Sequence, residues 1–497
     1  MTMETALGKY FCDLYSISLN DNCAVEYVNA RDLIVPSRID LCAKIAYVKN
    51  RIEGINCSFV DELYKEHISA FTVGSCSEAG NSEKNSIEDY INTFHELIEN
   101  IKSDGVREEL SVIPVGRGNG IMDGGHRVAI AAYLDLRIPI VRLEQLEPHN
   151  DLQFFRERLL EEKYLDYMAI EYCRLVNRDV YMAICWPSIS ASPDTAEEMI
   201  RARSNVIYKK NVALSSNGIR NFIIQTYIDC DWCGNMEKGF VGAQPQITGC
   251  YGSGGSLTAF LLEAEDIESI KAMKTEIRAQ YGIGNYSIHS TDNAQETIKL
   301  AHLLFNNNSV DFMNIGHPDT YPSDFSRIDS YKRLILASGY SLDDFVIDSS
   351  SVLSIYGLRK AQDLDFLTAK TECMEMKGDS ISCHNTHVLP YGVSITNSVY
   401  NPNFYFYFYD LKFMALSQVR NFKTNRAEKK DLDDVLLIDS VYKPDHIRMK
   451  LIRLRLLFKQ KAQSMKYYSL LNIIKLCKRL HIYSFARAVY RIGAKRK

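Results

Sequence analysis

The sequence predicts a multidomain protein of mixed α/β and α+β class, and three observations lead to that expectation. The chain has 497 residues, of which 46% are hydrophobic and 24% are charged, as in a globular protein of roughly two to four domains. Strand-like apolar runs alternate with helical patterns along most of its length. No segment approaches the roughly 20 consecutive apolar residues that cross a bilayer, and no secretory signal is recognised. We therefore expect a cytoplasmic protein with reduced cysteines.

The first predicted domain covers residues 1–150. Its pattern indicates a short strand at Leu33–Val35 and a long amphipathic helix at Ile87–Ile101. A strand, a turn and a helix follow within Ser111–Leu134, and the apolar run Ile138–Leu143 returns to the sheet.

The turn in this domain reads Asp123-Gly124-Gly125-His126-Arg127. Paired glycines let the backbone approach a ligand closely, and the free N–H groups of the following helix favour an anion. Arg127 adds a bidentate partner for phosphate. The sequence thus indicates a phosphate-binding turn, with a tight turn and a surface arginine as the alternative.

The residues Gly124-Gly125-His126-Arg127 resemble the turn of the ParB/sulfiredoxin-like family, and the resemblance covers about residues 33–143. It implies a nucleotide-phosphate site made by Asp123 to Arg127. Sulfiredoxins carry a cysteine where this chain has Gly125, which argues against sulfinic-acid repair. No helix-turn-helix follows, which argues against DNA segregation. Kinases of small molecules share this fold, and Glu78 is a candidate base.

A helical, charged connector at Asp151–Lys163 leads to a mixed α/β middle domain, residues 165–340, of unknown role. The expected elements of that domain are strands at Val180–Ile184, Phe222–Tyr227 and Leu257–Leu262, with helices at Ile267–Gln280 and Ala294–Phe305. His289 and Asp292 are weak candidates for ligand binding or acid–base chemistry; a helix capped by Thr291 or Asp292 is the preferred interpretation. Cys230 and Cys233 form a single CxxC motif without a second pair at suitable spacing, so zinc binding is not expected.

The third predicted domain, residues 341–440, contains the sharper pattern. A strand at Phe345–Ile347 precedes the small-residue turn Ser349–Ser351, a short helix and a second strand at Asp363–Leu367. Asp363 and Asp365 point to the same side of that strand, where their repulsion favours a hard divalent cation. Two surface aspartates on an edge strand are the alternative.

This pattern resembles the nucleotidyltransferase superfamily, with Ser349-Ser350 where Gly-Ser or Gly-Gly is usual and Asp363-Leu-Asp365 as the carboxylate half. The resemblance implies a Mg²⁺ or Mn²⁺ site at Asp363 and Asp365, completed by a third carboxylate on a later strand. Asp410, which follows the aromatic strand Phe404–Tyr409, is the candidate, with capping of a helix at Leu411–Phe422 as its alternative role. The implied phosphate-binding residues are Ser350, Ser351 and Arg359, with Lys412, Lys423 and Arg426 as further possible partners. Asp-x-Asp also occurs in manganese-dependent glycosyltransferases, normally after a hydrophobic strand.

Residues 441–497 form the predicted basic tail. Between Lys443 and Lys497 there are sixteen Lys and Arg residues and one acid, whereas the other residues carry 42 basic and 61 acidic groups. The apolar spacing indicates amphipathic helices with a basic face, which favours docking on an anionic membrane surface or on the acidic body. Nucleic acid is a less favoured partner, because the body is acidic.

The two resemblances together are similar to uncharacterised proteins of surface-polysaccharide gene clusters. They imply a metal-dependent transferase that moves a nucleotidyl, phosphoryl or glycosyl group from a nucleotide or nucleotide-sugar to a glycan or small-molecule acceptor. The alternative is a non-catalytic ParB-like nucleotide-binding scaffold or nucleic-acid regulator.

Overall fold

The structure, a computed structural model, describes residues 1–77, 84–107, 112–190, 192–376, 378 and 380–441. Residues 1–435 form one compact unit, and a second unit begins at residue 436. The described chain is a mixed α/β protein with three separate sheets, which confirms the predicted class. The candidate base Glu78 and all but the first residue of the predicted tail lie outside the described residues.

The first sheet has the order β1-β3-β2, with β1 antiparallel and β2 parallel to β3. The elements of this region are α1 (Met3–Leu7), α2 (Lys9–Tyr15), β1 (Glu26–Asn29), α3 (Asp40–Ile52), α4 (Ser58–Phe71), α5 (Ile87–Asp104), β2 (Ile113–Val115), α6 (Gly125–Tyr133) and β3 (Arg137–Arg142). The expected strand at Leu33–Val35 was wrong: Leu33 ends a short 3₁₀ turn, and the strand lies just before it.

The connector contains α7 (Leu152–Glu157) and the start of α8 (Glu162–Leu175). Asp151 caps α7 through a hydrogen bond from the Phe154 amide. Helix α8 is largely buried, because its tyrosines and small residues pack inside the compact unit. It therefore belongs to the core and is more than a linker.

The second sheet is antiparallel throughout, in the order β5-β6-β4-β7. Its central strand β4 is buried at every residue, as the continuous apolar run Val180–Ile184 predicts. The elements are β4 (Val180–Cys185), α9 (Pro193–Arg203), β5 (Asn205–Ala213), α10 (Ser216–Tyr227), α11 (Gln244–Tyr251), β6 (Ser256–Glu263), α12 (Ile267–Tyr281), β7 (Ile288–Ser290), α13 (Ala294–Leu304), α14 (Asn307–Ile315) and α15 (Pro322–Ala337).

The predicted strand Phe222–Tyr227 is instead the second half of helix α10. Ser215 caps that helix by accepting a hydrogen bond from the Gly218 amide. Packing between α11 and α14 buries the whole run from Asn221 to Gln225. A helix buried on several sides reads as a continuous apolar stretch, which periodicity does not separate from a buried strand.

The third sheet is mixed, in the order β10-β9-β8-β12-β11. Strand β8 is antiparallel to β9 and parallel to β12, and β10 is parallel to β9. The elements are β8 (Phe345–Asp348), α16 (Ser349–Ile355), β9 (Leu364–Thr368), β10 (Ile381–Cys383), α17 (Ile395–Tyr400), β11 (Tyr405–Phe408), β12 (Leu411–Met414), α18 (Leu416–Arg426) and α19 (Lys429–Val441).

Two expectations for this region change. The three serines 349–351 open helix α16 rather than forming a separate turn before it. The helix expected at Leu411–Phe422 begins at Leu416, because Leu411–Met414 pairs with the aromatic strand β11 as a hairpin. Among the described helices, none combines the length and the apolar character that a membrane span needs.

Candidate metal centre

Strands β8 and β9 bring two aspartates together at one end of the third sheet. Asp348 is the last residue of β8, and the antiparallel register pairs it directly with Asp365 of β9. Strand β10 runs parallel to β9 on its other side, and His384 follows its last residue. The register pairs the two carboxylates directly, and the imidazole of His384 converges on them through its side chain.

These three side chains converge closely enough to share an ion. Each offers one ligand atom, and the three atoms lie within 4.8 Å of one another. The Nδ1 atom of His384 lies 3.4 Å from Oδ2 of Asp348, to which the Tyr391 hydroxyl also donates a hydrogen bond of 3.0 Å. Within the described part of the chain, this is the one group of three or more such residues with metal-binding spacing.

Asp348 supplies the strongest indication of a cation site. Its side chain is fully buried, and its Oδ1 atom has no hydrogen-bond partner among the described residues. An unsatisfied buried oxygen costs about 1–3 kcal/mol, and more if it is charged. A bound cation would satisfy that oxygen.

The electrostatics of the triad agree with a cation site. Burial and then the neighbouring charge of Asp348 raise the pKa of Asp365 to about 6. Burial opposes charge on His384, but its hydrogen bond with Asp348 and the charges of both carboxylates raise its pKa overall. The Ser382 hydroxyl donates to Oδ1 of Asp365 at 3.3 Å and orients it. The site therefore concentrates negative charge where water screens it poorly.

The predicted serines contact the other predicted aspartate. Ser350 donates to Oδ1 of Asp363 at 3.1 Å, and Ser351 donates to the Asp363 backbone oxygen at the same distance. Asp363 is exposed just before β9 and lies outside the converging triad. Asp365 thus shares its cluster with Asp348 and His384 rather than with Asp363. Ser349 has φ 60°, a left-handed conformation that glycine adopts more easily.

Asp410 does not complete this site. It lies in the turn between β11 and β12, and its carboxylate forms a 2.7 Å ion pair with Lys332. Strand β12 is parallel to β8 with Phe413 opposite Ile347, so Asp410 lies near the start of β8. Asp348 is the last residue of the same strand. Asp410, the expected third carboxylate, therefore lies at the opposite end of β8 from the triad.

The basic residues proposed for phosphate are engaged in internal contacts. Arg359 forms two hydrogen bonds with Asp434, at 2.5 and 2.8 Å. Lys423 also contacts Asp434, and Arg426 forms a fork with Asp431. A phosphate at these residues would have to displace carboxylates of α19. Separately, the ammonium group of the buried Lys412 donates to two backbone oxygens.

The glycine-rich turn of the first domain has the predicted strand-to-helix form. Gly124 caps α6 with φ 80°, and a Cβ atom there would lie 2.5 Å from Ile113 Cδ1, so both the backbone conformation and the space favour glycine. A Cβ atom on Gly125 would lie 3.1 Å from Arg38 Nη2. Arg127 is 3.8 Å from the Asp123 carboxylate.

The first turn of α6 packs against a buried charge network. Asp40 is fully buried and accepts hydrogen bonds from both Arg38 and Lys44. Burial opposes its charge, but the two cations lower its pKa. The positive charge behind the turn is therefore partly neutralised by this carboxylate.

His126 points into the core and away from any phosphate at the turn. Its Nε2 atom lies 2.9 Å from the Tyr64 hydroxyl, and its ring meets Phe94 edge-on with centroids 4.4 Å apart. Burial, with the nearby charge of Lys44, lowers its pKa well below the usual value. A neutral core histidine explains these contacts, so the expected phosphate role of His126 is not supported by its position.

The middle domain follows the preferred interpretation of a capped helix. Asn293, rather than Thr291 or Asp292, caps α13. Glu296 accepts a hydrogen bond from the Asp292 amide and lies 3.2 Å from His289 Nε2. These contacts account for the polar residues of the loop.

Sequence reasoning missed Asp348, His384 and Tyr391 as site residues. Asp348 was visible as the acidic end of an apolar strand immediately before the serines. His384 and Tyr391 carry no comparable signal. The pairing of β10 with β9 brings His384 beside the aspartates, and Tyr391 reaches Asp348 from a short 3₁₀ turn at Leu389–Tyr391. Comparisons of the chain with protein-family models, with curated proteins and with solved structures found no match.

Proposed function

We propose that the protein is a metal-dependent transferase that uses a nucleotide or nucleotide-sugar donor. The group transferred is nucleotidyl, phosphoryl or glycosyl, and the acceptor is a glycan or another small molecule of surface-glycan synthesis. The observation that carries the proposal is the buried Oδ1 atom of Asp348 within the triad, which has no hydrogen-bond partner in the described part of the chain. A cation there would neutralise the triad and leave coordination positions for a phosphate group.

The donor set favours Mn²⁺ over Mg²⁺. Asp348 and Asp365 would supply oxygen ligands, and His384 would supply an imidazole nitrogen. Magnesium prefers oxygen ligands alone, whereas imidazole suits transition ions. When bound, the ion would polarise the donor phosphate and offset the charge that develops on it.

Neighbouring side chains would orient the ligands. Tyr391 holds Asp348 through its hydroxyl hydrogen bond, and Ser382 holds Asp365. Asp363, held by Ser350, is exposed beside the triad and available to hydroxyl groups of a donor or acceptor. Outer contacts of this kind fix the direction of metal ligands.

The test is thermal unfolding of the full chain with Mn²⁺ or Mg²⁺, each with and without a panel of nucleotides and nucleotide-sugars. We expect Mn²⁺ to raise the melting temperature and to be required for stabilisation by the donor. Asp348→Asn should lose both effects. Asp410→Asn is the matched control and should keep both effects, because it removes a carboxylate at the opposite end of β8 from the triad. Equal stabilisation of the two variants by Mn²⁺ would contradict the proposal.

A second candidate function rests on the first domain. The left-handed Gly124 and the nearby guanidinium of Arg38 support a nucleotide-binding module without catalysis, as a scaffold or regulator. In that case nucleotide would stabilise the protein without metal. Arg127→Ala would remove the effect, and Asp348→Asn would leave it intact.

A further inference from the structure

A cavity lies at the other end of strand β8 from the candidate metal centre. Its volume is about 510 Å³, and its walls come from α3, from α8 and from the residues that precede β8. Asp343 and Asp344 line it, and Asp348 ends the strand that follows them. Asp344 and Asp348 are four residue steps apart along the chain, which corresponds to about 13 Å in an extended strand. The cavity is therefore distinct from the triad and of the size that small-molecule sites occupy.

The lining is charged with both signs. Five basic and four acidic side chains contribute to it, a balance of +1. Arg174 lies between two of the acids, with its guanidinium 3.0 Å from Asp343 and 3.0 Å from Glu171. Burial opposes the charge of Asp343, but Arg174 and Lys412 lower its pKa, so it stays ionised. An uncharged apolar ligand does not suit such walls.

Lys49 is the cation available to a ligand. It lies in the last turn of α3, it is exposed, and it forms no hydrogen bond or ion pair with the described residues. The ammonium of Lys412, in contrast, is buried and donates to the backbone oxygens of Asp343 and Val399. Lys49 can therefore receive one anionic group, while the acids of the walls repel a polyanion such as a triphosphate.

The acids provide acceptors for hydroxyl groups. Glu53 uses one carboxylate oxygen for the Tyr133 hydroxyl, at 2.8 Å, and its other oxygen has no partner among the described residues. Asp344 similarly accepts from the Tyr400 hydroxyl, at 2.7 Å. Tyr405 adds an aromatic ring to the lining. Among the described residues of the lining, one cation without a hydrogen bond or ion pair, carboxylate acceptors and tyrosine rings together suit a small molecule with a single negative charge and several hydroxyl groups.

We propose that this cavity binds a sugar acid, a hydroxylated ring with one carboxylate. The carboxylate would contact Lys49, and the hydroxyl groups would donate to Glu53 and Asp344. This site adds to the proposed function and does not depend on it, because none of its residues belongs to the triad.

The experiment measures binding of glucuronate to the full chain by titration calorimetry in metal-free buffer. We expect Lys49→Glu to weaken binding at least about tenfold, because repulsion replaces attraction at the carboxylate. Lys102→Glu is the matched control, since Lys102 is also an exposed lysine in the last turn of a helix but does not line the cavity. Glucose, with hydroxyl groups and no charge, and acetate, with charge and no hydroxyl groups, should both bind more weakly than glucuronate.

The proposal is overturned if glucuronate does not bind, if the two lysine variants bind it equally, or if acetate binds as tightly. Asp348→Asn should bind glucuronate normally. Failure of this experiment would therefore leave the metal proposal standing, and failure of the metal experiment would leave this one standing. Lys49→Met, which removes the charge without reversing it, should show an intermediate loss.

Discussion

At the scale of single residues, the carboxylate of Asp348 gives the clearest indication of a cation site. One carboxylate oxygen receives the Tyr391 hydroxyl, and the other has no partner among the described residues although it is buried. Asp365, directly opposite, adds a second negative charge. The two carboxylates repel each other at this short range, and a divalent ion bound between them would relieve that repulsion.

At this scale we predict opposite effects of Asp365→Asn with and without metal. In the presence of a chelator at pH 7.5, the variant should unfold at higher denaturant concentration, because it removes a partly buried like-charge contact. Allowing for its partial exposure, the gain should be about 1 kcal/mol. With saturating Mn²⁺ the order should reverse, since the variant lacks a ligand. Urea unfolding of both proteins under both conditions checks this, and an unchanged order would contradict it.

Elements whose patterns are local could be predicted from the sequence, and those decided by packing could not. The strands at Phe345–Ile347 and Val180–Ile184 were predicted because they are short apolar runs that follow acidic residues. Helix α10 was missed because neighbours bury it on several sides. Residues 411–414 were assigned to a helix, although their hairpin partner is the aromatic strand just before them. The same distinction applies to the candidate site. Asp365 could be predicted because it lies in a local Asp-x-Asp motif, whereas His384 could not, because the pairing of β10 with β9 brings it near Asp365.

Strand β12 places Lys412 in an unusual setting that can be tested by pH. Burial, opposed mainly by Asp343, lowers the pKa of Lys412 to about 8, below its unfolded value. Between about pH 8 and 10.5 the unfolded chain therefore binds the extra proton, and this residue makes stability rise with pH. Below pH 8 both states are protonated and the contribution is flat. The rise is at most about 1.4 kcal/mol per pH unit for one proton.

Lys412→Met should remove that contribution. The groups that face the ammonium are Asp343, Asp344 and Arg174, and all three remain in the variant. Buried tyrosines and cysteines titrate in the same range, so the informative quantity is the difference between wild type and variant. Urea unfolding at pH 7.5, 8.5 and 9.5 should show stability of the wild type gaining on the variant as pH rises. A constant difference would refute the lowered pKa.

For the whole molecule, the uneven distribution of charge is the feature with the widest consequence. Residues 443–497 contain sixteen basic residues and one acidic residue, whereas the rest of the chain contains more acidic than basic residues. Each basic residue near an anionic bilayer contributes about 1 kcal/mol, a sum that salt reduces. This asymmetry was legible from the sequence because it depends on composition alone.

We predict that the full chain sediments with anionic vesicles at low salt and is released at high salt. A chain that ends at residue 442 should stay in the supernatant, whereas vesicles of neutral lipid should bind neither form. Equal sedimentation of the full and shortened chains would refute docking through the tail. If neither form binds, the partner to test next is nucleic acid.

Strand β8 has a consequence of its own, because it is buried at each of its four residues, follows two residues that line the cavity, and ends at Asp348 of the triad. If both proposed sites bind, two ligands about 13 Å apart along one short, packed strand would form a thermodynamic cycle with four corners. Whatever factor a sugar acid applies to the affinity for Mn²⁺, the ion must apply to the affinity for the sugar acid. Titrating Mn²⁺ with and without the sugar acid, and the sugar acid with and without Mn²⁺, would measure that factor twice. A factor of one would mean that the strand transmits no coupling between the two sites.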